Sequence, residues 1–120
     1  MNRLLKAAVL ASFGWNIFLI VGVIANQSYA TTRAAGGQFE SFPTGIRATY
    51  CITLAIVIYQ LEVLFTNIRR PEWIYKVFFF LGLSSVLVNA ISRSADERWN
   101  VIPAALIAFA FWKRWKSQKA

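Results

Sequence analysis

The sequence predicts an all-α membrane protein, a bundle of four transmembrane helices with both termini cytoplasmic. Three observations carry this expectation. Hydrophobic residues make up 58% of the 120 and aromatic residues 16%, while charged residues are only 15%, a balance foreign to soluble domains. The apolar residues gather in four blocks separated by short polar segments. The net charge of +8 sits at the ends of those blocks, where cations orient a chain and meet headgroups. A single membrane domain spanning residues 1–120 follows. Lys and Arg do not form a stripe between aromatics, so the basic balance points to lipid and not to nucleic acid.

The expected helices cover about 4–25, 46–66, 73–91 and 99–115, with a polar outer loop over 26–45. The first apolar block follows Arg3 and Lys6. Ser28-Tyr29-Ala30 offers small residues of the kind a signal peptidase reads, but the core from Ala7 to Ala25 exceeds the ordinary signal-peptide length of about 7–15 residues. An uncleaved transmembrane helix is the expectation, and the mass of the mature N-terminus tests it. The loop that follows holds Gly36-Gly37, Pro43 and several Ser and Thr residues. It reads as a mobile connector, with Phe39 and Phe42 as residues able to touch the membrane surface.

The second block, Ile46 to Thr66, ends at Asn67-Ile68-Arg69-Arg70-Pro71. Proline cannot continue the helical ladder, and the arginines suit a helix C-terminus in a headgroup layer. The short turn makes the third helix antiparallel to the second. Trp73, Tyr75 and Lys76 form an interfacial anchor at the start of that third helix, and Ser84-Ser85 allows a close neighbour. Asn89, Ser92 and Arg93 mark its far end.

The fourth block is the weakest. Only the stretch 101–112 is uninterrupted, and reaching spanning length requires Trp99 through Trp115, with tryptophans at both ends. Ser94-Ala95-Asp96-Glu97 has capping-box spacing, so the helix starts early and is kinked by Pro103, or Asn100 is the cap and Pro103 lies in the first turn. A re-entrant segment is the alternative. Arg93 and Arg98 can pair locally with Asp96 and Glu97 in a capped, solvated turn.

With four spans, the inner segments hold Arg3, Lys6, Arg69, Arg70, Lys76, Lys113, Arg114, Lys116 and Lys119, and the outer ones only Arg33, Arg47, Arg93 and Arg98. The positive-inside rule then places both termini in the cytoplasm, with the chain in the plasma (cell inner) membrane. Trp73, Tyr75, Trp99, Trp112 and Trp115 are the expected interfacial anchors. The Trp112-Lys113-Arg114-Trp115-Lys116 cluster attracts anionic headgroups at about 1 kcal/mol per cation.

Chemistry is constrained mostly by what is missing. The chain has no histidine and one cysteine, which removes an intrachain disulfide, the usual haem and zinc ligands and the commonest general base. No paired carboxylates within a span, metal-ligand spacing or Gly-rich phosphate loop appear, so catalysis, a metal and a cofactor are not expected. Cys51 reads as an inert core thiol. The candidate intramembrane polar residues are Glu62, Tyr59, Gln60, Asn16 and Asn89.

Glu62 is the one acid inside a long apolar run, and burying it at a helix centre costs about 2.5–3.5 kcal/mol. At 100° per residue, Cys51, Ala55, Tyr59, Glu62 and Thr66 fall within an arc of about 80°, predicted to face the bundle interior. Thr53 and Gln60 lie nearly opposite, which implies neighbours on two sides. Lys76, Lys113 or the nearby arginines can reach Glu62, and Tyr59 is placed to hydrogen-bond it. Counted from the cytoplasmic side, Glu62 lies in the inner third, Asn16 a little past the midplane and Asn89 close to the outer surface, as separate interhelical hydrogen bonds or as steps of a polar path.

These features favour a structural or accessory membrane protein that packs with itself or with a partner membrane protein. The alternative is a small proton- or cation-coupled transporter using Glu62. In length and helix count alone the chain resembles the small multidrug resistance transporters. Their characteristic membrane-embedded glutamate lies in the first helix, where this chain offers only Asn16. Membership of that family does not follow. A lipid- or quinone-binding module built on the aromatic-rich inner leaflet is a third class.

Overall fold

The computed structural model describes residues 2–31, 33–34, 37–66, 68–92 and 94–119, the side chains of 118 and 119 excepted. Gly36, Asn67 and Arg93 lie outside the described residues, and with them the local ion pairing expected of Arg93. The described chain is all-helical, with four long helices: α1 (Arg3–Ile24), α2 (Thr44–Phe65), α3 (Glu72–Ala90) and α5 (Val101–Lys119). The short α4 (Ala95–Arg98) precedes α5, and a 3₁₀ turn covers Ser28–Ala30. By length and composition α1, α2 and α3 are each able to cross a membrane. α5 matches them in length, but Lys113, Arg114 and Lys116 interrupt its second half.

Local chemistry explains the helix ends. Asn2 caps α1, its Oδ1 accepting from the Leu5 amide at 2.7 Å. Pro43 and Pro71 stand immediately before α2 and α3, where a fixed φ costs nothing and no amide hydrogen bond is lost. Asn26 takes a left-handed conformation (φ 56°) just past α1. The Gln27 amide then reaches the Gly22 carbonyl at 2.7 Å and the Asn26 amide reaches Val23 at 3.0 Å, which is a Schellman stop. Both alternatives for the fourth helix are partly realised. Ser94 Oγ accepts from the Glu97 amide and caps the separate α4. The chain then turns at Trp99–Asn100, and Pro103 falls in the first turn of α5.

The helices run alternately up and down. One end holds the 66–71 turn and the outer portions of α1 and α5, and is called here the turn end. The other holds residues 25–43 and 91–100, the loop end. α3 and α5 form the most intimate pair, while α1 packs against both α2 and α5. α2 and α3, although consecutive, approach each other little. The main core is Val9, Phe13, Val57, Val63, Leu64, Tyr75, Phe78, Ile107 and Phe111 with their neighbours, concentrated toward the turn end. Gly82 permits the α3–α5 approach: a Cβ there would lie 2.7 Å from Ala108 Cβ. That close approach, not Ser84-Ser85, is what brings a neighbour to α3; both serines are exposed.

Three expectations are corrected here. The described part of the 26–45 loop is no loose connector. Ala30, Ala34 and Phe42 join Val23 in a second buried cluster, and Asn26 ties the loop down through Ser41 Oγ (3.0 Å) and the Phe42 amide (2.7 Å). Tyr75 is fully buried in the core and is no interfacial anchor. Cys51 is exposed on the bundle exterior and is no core thiol. Of the other expected anchors, Trp73, Trp99 and Trp112 are exposed. Trp115 is partly covered and donates to Glu72 Oε1 at 2.8 Å.

Candidate functional site

The polar residues singled out in the sequence divide between two places. Glu62 and Tyr59 belong to a cluster at the turn end. Arg70 Nη2 lies 2.9 Å from Glu62 Oε1, and the Glu62 side chain is 49% exposed. Arg70 also lies over the Tyr59 ring, 5.5 Å from its centroid, and its amide donates to the Tyr75 hydroxyl at 3.3 Å. Tyr59 thus meets the ion pair through its ring face and packs edge-on against Phe78. Lys76 sits nearer Glu72 (3.9 Å), and Lys113 lies over Phe109. The short turn explains the choice of Arg70, since it returns that guanidinium to the end of the helix that carries Glu62.

Of the α2 stripe expected to face inward, only Tyr59 and Thr66 are partly buried, Tyr59 against the core; the other three are turned out. Cys51, Ala55 and Glu62 face outward, while Val57, Gln60 and Leu64 face inward. Pairing with Arg70 beside solvent or headgroups stabilises Glu62 without interior burial, and this frees the opposite face of α2 to pack. Arg114 completes that end: its Nη1 donates to the Leu64 carbonyl at 2.8 Å, closing the C-terminus of α2 from across the bundle.

Gln60, Asn16 and Asn89 converge on one cavity of about 380 Å³ between α1, α2, α3 and α5. By the helical rise Gln60 stands about 8 Å from the turn end of α2, Asn16 about 20 Å along α1 and Asn89 about 26 Å along α3. These different depths belong to a single cleft elongated along the bundle axis. Beyond the Tyr59–Phe78 ring contact, Tyr50, Thr53 and Ile56 of α2 line it together with Leu81, Ser85 and Asn89 of α3.

The lining is graded. The apolar part of the wall is Leu19, Ile20, Ile56, Val57, Leu81 and Ile107. Thr53 Oγ1 donates to the Thr49 carbonyl at 3.1 Å, and Asn89 Nδ2 donates to the Ser85 carbonyl at 2.7 Å. Arg33, Glu97 and Asn100 lie at the loop end. Glu97 is buried, not solvated as the turn sequence suggests. Asn100 accepts from Trp15 Nε1 at 2.8 Å and donates to the Arg33 carbonyl at 3.1 Å, binding α1, the loop and the start of α5 together.

Gln60 stands out. It is only 9% exposed, and among the described residues its amide has no hydrogen-bond partner. A buried amide left unsatisfied costs about 1–3 kcal/mol. Yet the fully enclosed orphan polar atoms are Thr66 Oγ1 and Arg70 Nε, not the Gln60 amide, which therefore opens into the cavity. Asn16, half-buried on the same cavity, also lacks a side-chain partner among the described residues.

Sequence reasoning named these three amides but not Arg33, Glu97, Asn100 or Trp15 as their companions. Arg33 and Asn100 come from polar segments that look solvated until the loop folds back over the helix ends. A neutral amide in each of three apolar blocks was the usable signal. No family model, curated protein or solved structure matches the chain.

Proposed function

We propose that the chain is a small multi-pass membrane protein of structural or accessory type, which packs with itself or a partner membrane protein through α2. The observation that carries this is the outward face of α2. It sets the small residues Ala48, Cys51 and Ala55 and the half-exposed Glu62 on the bundle exterior. Small residues on a lipid-facing helix allow another backbone to approach closely, and polar ones reward it with hydrogen bonds.

In this account all four long helices cross the bilayer of the plasma membrane, with both termini and the 66–71 turn cytoplasmic. The lower apolarity of α5 is tolerated because Ala104, Ile107, Ala108, Ala110 and Phe111 are covered by neighbouring helices. Cations concentrate at the turn end, as the positive-inside rule requires, and contact anionic headgroups there. The protein is non-enzymatic and holds no cofactor. The position of Glu62 outside the cavity and beside Arg70 favours a structural carboxylate over transport chemistry.

Mild-detergent extraction of native membranes tests this. The tagged chain should migrate as a homo-oligomer or carry a stoichiometric membrane protein with it. Recovery solely as a lone monomer under conditions that preserve other membrane complexes would contradict it.

A further inference from the structure

We infer that the cavity between α2 and α3 is a binding site for a neutral amphiphile: a head bearing hydrogen-bonding oxygens and a tail that lies in the bilayer. Its volume of about 380 Å³ is that of a small-molecule site. At its deep end Gln60 is nine-tenths buried and offers an unpartnered amide, with both N–H donors and a carbonyl acceptor. Asn16 presents a second unpartnered amide to the same space. A guest with one oxygen at Gln60 and a second further along the cleft toward Asn16 satisfies groups that the protein leaves open.

The head must be neutral. Among the described residues the charged ones lining the cavity, Arg33 and Glu97, come from the loop and α4 at the loop end, while Gln60 lies toward the turn end of α2. A phosphate or ammonium brought to that depth would lose its hydration with no counter-charge to replace it. Entry is lateral, because Ile56 of α2 and Leu81 of α3 line the cavity and are both exposed, so an aliphatic tail can remain between them. Two membrane-soluble chemistries share this description: a quinone or quinol ring, and the glyceryl head of an acylglycerol. The inference is independent of the α2 association surface, since Cys51 and Ala55 do not line the cavity.

The test uses the purified full chain in nanodiscs and native mass spectrometry with three probes: decyl-benzoquinone, dioctanoylglycerol and dioctanoyl phosphatidylglycerol. One neutral probe should be retained at one per chain, and which one identifies the head. The anionic probe should not compete for that site. Gln60→Leu should weaken retention about ten-fold or more while the variant melts at or above the wild-type temperature. Ile56→Trp, at a partly exposed position on the cavity wall, should block retention without touching Gln60, so the outcome does not depend on one variant folding. Retention of neither neutral probe, which leaves a cavity filled by water alone, would overturn the inference. So would equal retention of all three, or retention indifferent to both substitutions.

Discussion

Arg70 reaches back across the turn between α2 and α3 to pair with Glu62, Nη2 to Oε1 at 2.9 Å, while its guanidinium covers the Tyr59 ring. The two side chains are 21% and 49% exposed respectively, so the pair sits at the bundle edge. Partial exposure limits its worth to about 1 kcal/mol or less. Glu62→Gln keeps a hydrogen-bond acceptor for Arg70 and should lower stability by no more than that. It should also leave any ion flux in liposomes unchanged across pH. A proton-dependent cation flux that vanishes in this variant would revive the transporter account.

Arg70→Ala should cost more than Glu62→Gln, because it removes the ion pair and the ring contact together. Chemical denaturation in mild detergent should show a loss of about 1–2 kcal/mol. Equal losses for the two variants would mean that the Tyr59 contact contributes nothing.

Asn100 joins three segments through its two hydrogen bonds, accepting from Trp15 and donating to the Arg33 carbonyl. Asn100→Leu should destabilise by about 1–3 kcal/mol, since it leaves the Trp15 indole N–H and a carbonyl unpaired in a largely buried place. Trp15→Phe should cost less alone. A double-mutant cycle should show the two effects to be non-additive; simple additivity would mean that the bond does not form.

The glycines separate cleanly. Gly82→Ala places a methyl 2.7 Å from Ala108 Cβ and 3.0 Å from its Cα, and overpacking of this kind costs about 1–3 kcal/mol. Gly14→Ala meets nothing within 4 Å and should be neutral within about 0.5 kcal/mol. Thermal melts of the two variants check the contrast. Ala108→Gly should partly rescue Gly82→Ala, because it removes the nearer of the two colliding atoms.

Much of the fold was legible because apolar block length and flanking prolines set helix positions directly: Pro71 and the Asn26 region mark where helices begin and stop. Rotation about the helix axis was not. The stripe through Cys51, Ala55 and Glu62 was expected inside, on the reasoning that a carboxylate in an apolar run needs protein around it. Arg70, brought back by a tight turn, answers that need at the edge and lets these three residues turn out. Tyr75 misled for a related reason. Its place two residues from Trp73 suggests an interfacial belt, but two residues are about 200° around a helix and so fall on opposite faces. Trp73 is exposed, and Tyr75 points into the core. Gln60 and Asn16 were named as polar, but their convergence on one cavity depends on how the helices pack, which no local pattern encodes.

The central claim is that α2 presents its outward face to another protein. Cys51 is the single cysteine and lies on that face, so it serves as a native attachment point. Labelling it with a membrane-permeant benzophenone maleimide and illuminating intact native membranes should yield a protein adduct at high efficiency, of twice the chain mass for self-association or of a defined heterologous mass for a partner. The same label on Leu87→Cys in a Cys51→Ser background, an exposed position on α3, supplies the comparison. Adducts to lipid alone from Cys51, at the level seen from position 87, would contradict the claim.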